Sequence, residues 1–124
     1  MSKRILVVDD DLYIRELYEE VLKGEGYDVD AAVNGEEALV KLQKGGYDLV
    51  LLDVMMPKLD GIGVLTKLSE NPPQTKNGPI LLLTNLGHDP ILKEALNKGA
   101  NRFVIKADMT PDQLIINVKK ALGE

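Results

Sequence analysis

An α/β domain with a parallel sheet is the fold class this sequence predicts, and two observations predict it. Short runs rich in Val, Ile and Leu alternate with segments of helical period, strand then helix five times, which is the pattern of successive βαβ units. The runs are apolar almost throughout rather than at every second residue, as strands are when helices cover both faces of their sheet.

The first strand is expected near Arg4–Val8. Ile14, Leu17, Tyr18, Val21 and Leu22 then recur at the spacing of one buried helical stripe, and Gly24 and Gly26 end that helix. A second strand near Val29–Ala32 leads to Asn34, which can cap a helix carrying Glu37 three residues on and the weaker stripe Ala38, Leu39, Leu42. Leu49–Leu52 form the third strand, followed by the stripe Ile62, Leu65, Leu68. The stretch from Asn71 to Pro79, with three prolines, a glycine and two asparagines, reads as a surface loop. After a fourth strand near Ile80–Leu83, Asp89-Pro90 is a cap-then-proline start for a helix with Ile91, Leu92, Ala95 and Leu96 inward. Phe103–Ile105 make the fifth strand, and Thr110, Pro111 and Gln113 open a last helix bearing Leu114, Ile115, Val118, Ala121 and Leu122. The edge strands should be the more polar ones.

Composition narrows the function. A chain of 124 residues has the size of one domain, so residues 1–124 are expected to fold as a single unit. With no cysteine there is no disulfide framework, thiolate metal site or cysteine nucleophile. No apolar stretch near Met1 has the length of a signal-peptide core or a membrane span, so the cytoplasm is the expected compartment. A net charge of −5 with no basic cluster argues against direct nucleic-acid binding.

The chemistry sits at the strand ends. Asp9 and Asp10 close the first apolar run and Asp53 closes the third, so a parallel sheet delivers three carboxylates to one edge, where open α/β folds hold ligands. Crowded like charges are costly, and hard oxygen donors without Cys or His suit Mg²⁺ or a similar ion such as Mn²⁺. Thr84 ends the fourth run and Lys106 the fifth. A hydroxyl and an ammonium beside a cation and a carboxylate form a set that binds a phosphoryl group, and Asp can receive one as an aspartyl-phosphate.

Val7-Val8-Asp9-Asp10, Leu52-Asp53-Val54-Met55-Met56-Pro57 through Asp60-Gly61, Thr84, and Gly99-Ala100 through Phe103-Val104-Ile105-Lys106 together resemble the CheY-like receiver domain of two-component response regulators. The resemblance covers nearly the whole chain. It implies a flavodoxin-like three-layer sandwich with strand order 2-1-3-4-5 and Asp53 as the phosphoacceptor. It implies Mg²⁺ held by Asp10 and Asp53, by Asp9 through water and by the backbone carbonyl of Met55, with Thr84 and Lys106 on the phosphoryl group. Thr84 and Phe103 would be the switch pair, moving when the phosphoryl charge arrives. The implied partners are a sensor histidine kinase or histidine phosphotransfer protein, and a downstream protein at the face of the fourth helix, fifth strand and fifth helix, with a phosphorylation-dependent dimer as a further outcome. No turnover of a separate substrate is expected.

Two departures from the family pattern stand out. Ala107 follows Lys106 where the family usually has a cis proline, so this peptide is either trans or strained. Neither Met55 nor Leu86, each two residues past a site residue, is an amide or acid that could orient water, which predicts a long-lived phosphoaspartate.

Other readings compete. Taken singly, Asp9 and Asp10 could merely cap the first helix, Thr84 could be a core hydroxyl, Lys106 a solvated strand end and Phe103 plain core. His88 has no second ligand and is given no role. An aspartate-dependent phosphohydrolase would use Asp53, yet such enzymes need an acid where Met55 stands. A flavin or nucleotide carrier lacks its glycine-rich phosphate loop, since Asp9-Asp10-Asp11 stands there. A receiver-like interaction domain that no longer signals by phosphorylation is the third alternative. The chain ends at Gly123-Glu124, soon after the fifth helix, which predicts output through protein contacts, as in a stand-alone regulator, a phosphorelay intermediate or an excised receiver.

Overall fold

The computed structural model describes residues 2–85, 90–100 and 102–124, with the side-chain surroundings of positions 90, 91, 92 and 95 outside that description. The expected Asp89-Pro90 cap, Leu86, His88 and most of the fourth helix's apolar stripe therefore lie outside the described residues.

Strands and helices alternate as β1 (Arg4–Val8), α1 (Leu12–Gly24), β2 (Asp28–Ala32), α2 (Gly35–Lys44), β3 (Leu49–Asp53), α3 (Gly61–Glu70), β4 (Ile80–Thr84), α4 (Pro90–Asn97), β5 (Arg102–Ile105) and α5 (Pro111–Leu122). The sheet is parallel with order β2-β1-β3-β4-β5, the arrangement the resemblance implied.

Side chains alternate across the pleat, and this sorts the core into two layers. Leu6, Val8, Val50, Leu52 and Leu82 face Ala38 and Leu42 of α2 and Val64 and Leu65 of α3. Ile5, Val7, Leu49, Leu51, Leu81 and Leu83 face Tyr18 and Leu22 of α1 and Leu114 and Val118 of α5. Burying one such Leu, Ile or Val contributes about 1.5–3 kcal/mol, so the two layers are the main source of stability. β1, β3 and β4 are buried almost end to end, whereas β2 and β5 at the edges are half-buried along most of their length, as expected.

Capping agrees with the sequence reading. Asn34 accepts from the backbone N–H of Glu37 at 2.9 Å, and Thr110 from that of Gln113 at 3.2 Å. The α1 cap is Asp11, whose carboxylate accepts from the N–H of Ile14 at 3.2 Å. Neither Asp9 nor Asp10 serves that purpose, and the simplest competing account of these two acids falls away.

The 71–79 loop is irregular, as expected, but it is docked rather than free. Gln74 and Thr75 donate to the carbonyls of Gln43 and Lys44, and Gly78 donates to that of Tyr47. Gly45 pairs with Thr75 at φ +78°, in the left-handed region, and a Cβ there would collide with the Thr75 carbonyl. At the β2 edge, Asp30 accepts from Lys41 Nζ at 2.8 Å and from the Tyr47 hydroxyl at 2.7 Å. The Arg4 guanidinium sits 4.7 Å from the centre of the Tyr47 ring, a cation–π contact.

Candidate functional site

Register brings the acids together. Val8 lies opposite Leu52 between β1 and β3, so the next residue of each strand, Asp9 and Asp53, emerges at the same level of the sheet edge. Asp53 in turn pairs with Leu83, and Thr84 pairs with Ile105, which places Thr84 and Lys106 one step further along the same edge. Carboxylate oxygens of Asp9, Asp10 and Asp53 all lie within 4.8 Å of one another.

Burial differs within the set. Asp9 is 0% exposed, Asp53 4% and Thr84 1%, while Asp10 is open to solvent. Lys106 Nζ lies 2.7 Å from Asp9 Oδ2 and 3.3 Å from Asp53 Oδ2. The shorter contact is poorly aligned, so Asp9 Oδ2 is buried beside an ammonium yet has no hydrogen bond. The remaining oxygens brace the turns: Asp9 Oδ1 accepts from the N–H of Asp11 at 2.9 Å, and Asp53 Oδ1 from the N–H of Met55 at 3.3 Å.

The electrostatics follow from this crowding. Burial first and the Asp9 charge second push the Asp53 carboxyl up to about 7, and the opposing pull of Lys106 does not cancel them. Burial works against the Lys106 ammonium, but Asp9 and Asp53 outweigh it and hold its pKa above the usual value. Tyr18, in the α1 stripe, lies close enough to feel all three charges; its phenol is raised chiefly by burial.

The donor set fits a hard divalent cation. Three carboxylates face a single lysine, Asp9 Oδ2 is buried and lacks a hydrogen bond, and exposed Asp10 leaves the group open on one side. Oxygen-only donors of this kind select Mg²⁺ or Mn²⁺ over softer metals.

Each candidate from the sequence has a place in this arrangement. Asp9, Asp10, Asp53 and Lys106 are in mutual reach, and Thr84 is buried at the adjoining strand end. The Met55 side chain is 60% exposed while its backbone stays tied to Asp53. Phe103 lies opposite Leu82 and packs, half-buried, against the layer under α2 and α3. The Lys106–Ala107 peptide is trans, and residues Lys106–Asp108 form a 3-10 turn closed by the Met109 N–H on the Lys106 carbonyl.

Gly61 approaches the back of the site. Its N–H donates to the Val54 carbonyl at 2.9 Å, and a Cβ there would lie 2.7 Å from the Asp53 carbonyl oxygen. Just before it, Lys58 adopts a left-handed φ of +67°, which sequence reasoning did not anticipate. Sequence reasoning also passed over Arg15, whose Nη1 donates to the Asp9 carbonyl at 2.8 Å. The available signal was a cation near a helix N-terminus, where the helix dipole disfavours it.

Comparison with known proteins agrees with this geometry. The family profile described as "Response regulator receiver domain" matches residues 5–119. The transcriptional regulatory protein SrrA of Staphylococcus aureus is 37% identical over 122 residues, covering 98% of this chain and 48% of that protein. The chain thus spans about half the length of the curated relatives it matches. The chemotaxis protein CheY4 of Vibrio cholerae superposes with a TM-score of 0.86 at 30% identity, covering 98% of this chain and 99% of that one. A CheY-like receiver domain protein from Methanospirillum hungatei JF-1 gives 0.87 at 29% identity, covering 99% and 95%. With matching motifs, strand order and acidic strand ends, the chain belongs to the response regulator receiver family of two-component signalling.

Proposed function

We propose that this chain, read as one receiver domain over residues 1–124, accepts a phosphoryl group on Asp53 from a histidine kinase or histidine phosphotransfer protein. The observation that carries the assignment is the setting of Asp53: nearly buried at the end of β3, 3.3 Å from Lys106, with two more carboxylates in reach. A carboxylate oxygen of Asp53 attacks phosphorus as the bond from phosphorus to the donor nitrogen breaks, and the departing imidazole leaves neutral or takes a proton from solvent.

Asp9, Asp10 and Asp53, with the Met55 carbonyl, would hold Mg²⁺, with Asp9 acting through water. The bound cation supplies charge neutralisation for the phosphoryl oxygens and keeps Asp53 ionised. Lys106 sits where its ammonium can engage a phosphoryl oxygen, and Thr84 provides the hydroxyl at the neighbouring strand end. The added charge of about −1.5 to −2 gives the Thr84 hydroxyl a new acceptor, and Phe103 follows from behind it. The surface of α4, β5 and α5 is then the output face toward a downstream protein or a second copy. Among the described residues no helix is long and apolar enough to cross a membrane.

Intact mass after incubation with Mg²⁺ and acetyl phosphate tests the reading. One phosphoryl increment is expected, absent with chelator and absent in Asp53→Asn. No increment in the wild type would overturn it in favour of an interaction domain that does not signal by phosphorylation.

A further inference from the structure

We propose that Arg15 is a positioning residue of the Asp53 site, acting through the peptide that joins Asp9 to Asp10. The inference rests on the reading of Asp53 as phosphoacceptor and of the three aspartates as a cation site.

Arg15 is the fourth residue of α1, and helical side chains lean back toward the N-terminus, so its guanidinium reaches the end of β1. There Nη1 donates to the Asp9 carbonyl oxygen at 2.8 Å. The placement is locally unfavourable, because a cation near a helix N-terminus opposes the dipole, and among the described residues Arg15 forms no ion pair. A residue that breaks a local rule calls for a compensating role.

The contact closes a ring. The Arg15 side chain bonds the Asp9 carbonyl, the Arg15 backbone N–H bonds the Asp11 carbonyl at 3.0 Å, and the Asp11 N–H bonds Asp9 Oδ1 at 2.9 Å. The Asp9 N–H is held in addition by the Ala32 carbonyl at 3.3 Å. Because the peptide unit is planar, holding the Asp9 carbonyl also holds the N–H of Asp10 and the two Cα atoms that flank it. Arg15 therefore holds the peptide from which two of the three carboxylates project. Groups that orient metal-binding side chains in this way typically change metal affinity by 10–100-fold when removed.

The sign of the effect separates positioning from charge. Removing a nearby positive charge should tighten Mg²⁺ binding, whereas releasing the Asp9–Asp10 peptide should weaken it. The test is calorimetric Mg²⁺ titration of wild type, Arg15→Met and Arg15→Lys, with acetyl phosphate labelling and thermal unfolding alongside. The expected result is a Mg²⁺ dissociation constant raised about tenfold or more in Arg15→Met, intermediate in Arg15→Lys, with slower labelling and an unfolding temperature close to wild type. Should Arg15→Met fail to fold, Arg15→Gln carries the same comparison. A wild type that binds Mg²⁺ and labels, beside an Arg15→Met that binds equally or more tightly, overturns the proposal alone. A wild type that neither binds Mg²⁺ nor labels overturns the reading of the site itself.

Discussion

Replacing Asp53 by asparagine should stabilise the protein in the absence of metal. The Asp53 carboxylate is held at 4% exposure against Asp9, and its pKa is pushed from 3.8 to about 7 by burial and that neighbouring charge. A folded pKa above the unfolded one means that the native state binds the extra proton, so stability declines as pH rises from about 4 to about 7 and stays low above that. Three units at 1.36 kcal/mol each correspond to about 4 kcal/mol of destabilisation at pH 8. Asparagine removes the charge and keeps an oxygen for the Met55 N–H. It forfeits only the 3.3 Å contact to Lys106, which retains Asp9 at 2.7 Å. A net gain of about 2–4 kcal/mol is therefore expected from urea unfolding in chelator at pH 8, shrinking toward zero near pH 4. Mg²⁺ at 100 times its dissociation constant should restore about 2.7 kcal/mol to the wild type and less to the variant. Asp53→Asn equal to or less stable than wild type at pH 8 without metal would refute the claim that this carboxylate is electrostatically strained.

Three further outcomes follow from the same geometry. Lys106→Met leaves Asp9 Oδ2 buried with no cation, so metal-free unfolding at pH 8 should reveal a loss of about 3–5 kcal/mol; a neutral effect would show that this ion pair is dispensable. Gly61→Ala places a Cβ against the Asp53 carbonyl and should cost about 1–3 kcal/mol with slower labelling of Asp53, whereas unchanged labelling and stability would mean the loop yields freely. Lys58→Gly relieves a left-handed φ of +67° and should stabilise by up to about 1 kcal/mol in urea unfolding, since the relief of about 1–2 exceeds the added chain entropy of about 0.5–1. Destabilisation there would point to a contact of the Lys58 side chain.

Much of the site was legible because strand ends announce themselves. An apolar run that stops at an acid, a hydroxyl or an ammonium shows which residue leaves the sheet, and a parallel sheet puts all such residues on one edge. Asp9, Asp53, Thr84 and Lys106 were found this way. The caps at Asn34 and Thr110 were legible for a similar reason, because their partners lie three residues on. What escaped depends on distance along the chain or on backbone conformation. The docking of the 71–79 loop on the end of α2 uses backbone groups about 30 residues apart, which no periodicity reports. The Asp30–Lys41–Tyr47 cluster joins β2, α2 and the loop after α2 through side-chain tips, and Lys58 carries a conformation that glycine would have advertised and lysine conceals. Asp11 was overlooked as the α1 cap because two more prominent acids precede it.

In the proposed reaction Asp53, and no neighbouring acid, receives the phosphoryl group. The most direct measurement is borohydride reduction of the protein after labelling with acetyl phosphate and Mg²⁺, followed by peptide sequencing by mass spectrometry, since reduction converts an aspartyl-phosphate into a stable alcohol at the modified position. The reduced side chain is expected at position 53 alone. Reduction at Asp9 or Asp10, or none in a protein that has bound Mg²⁺, would contradict it.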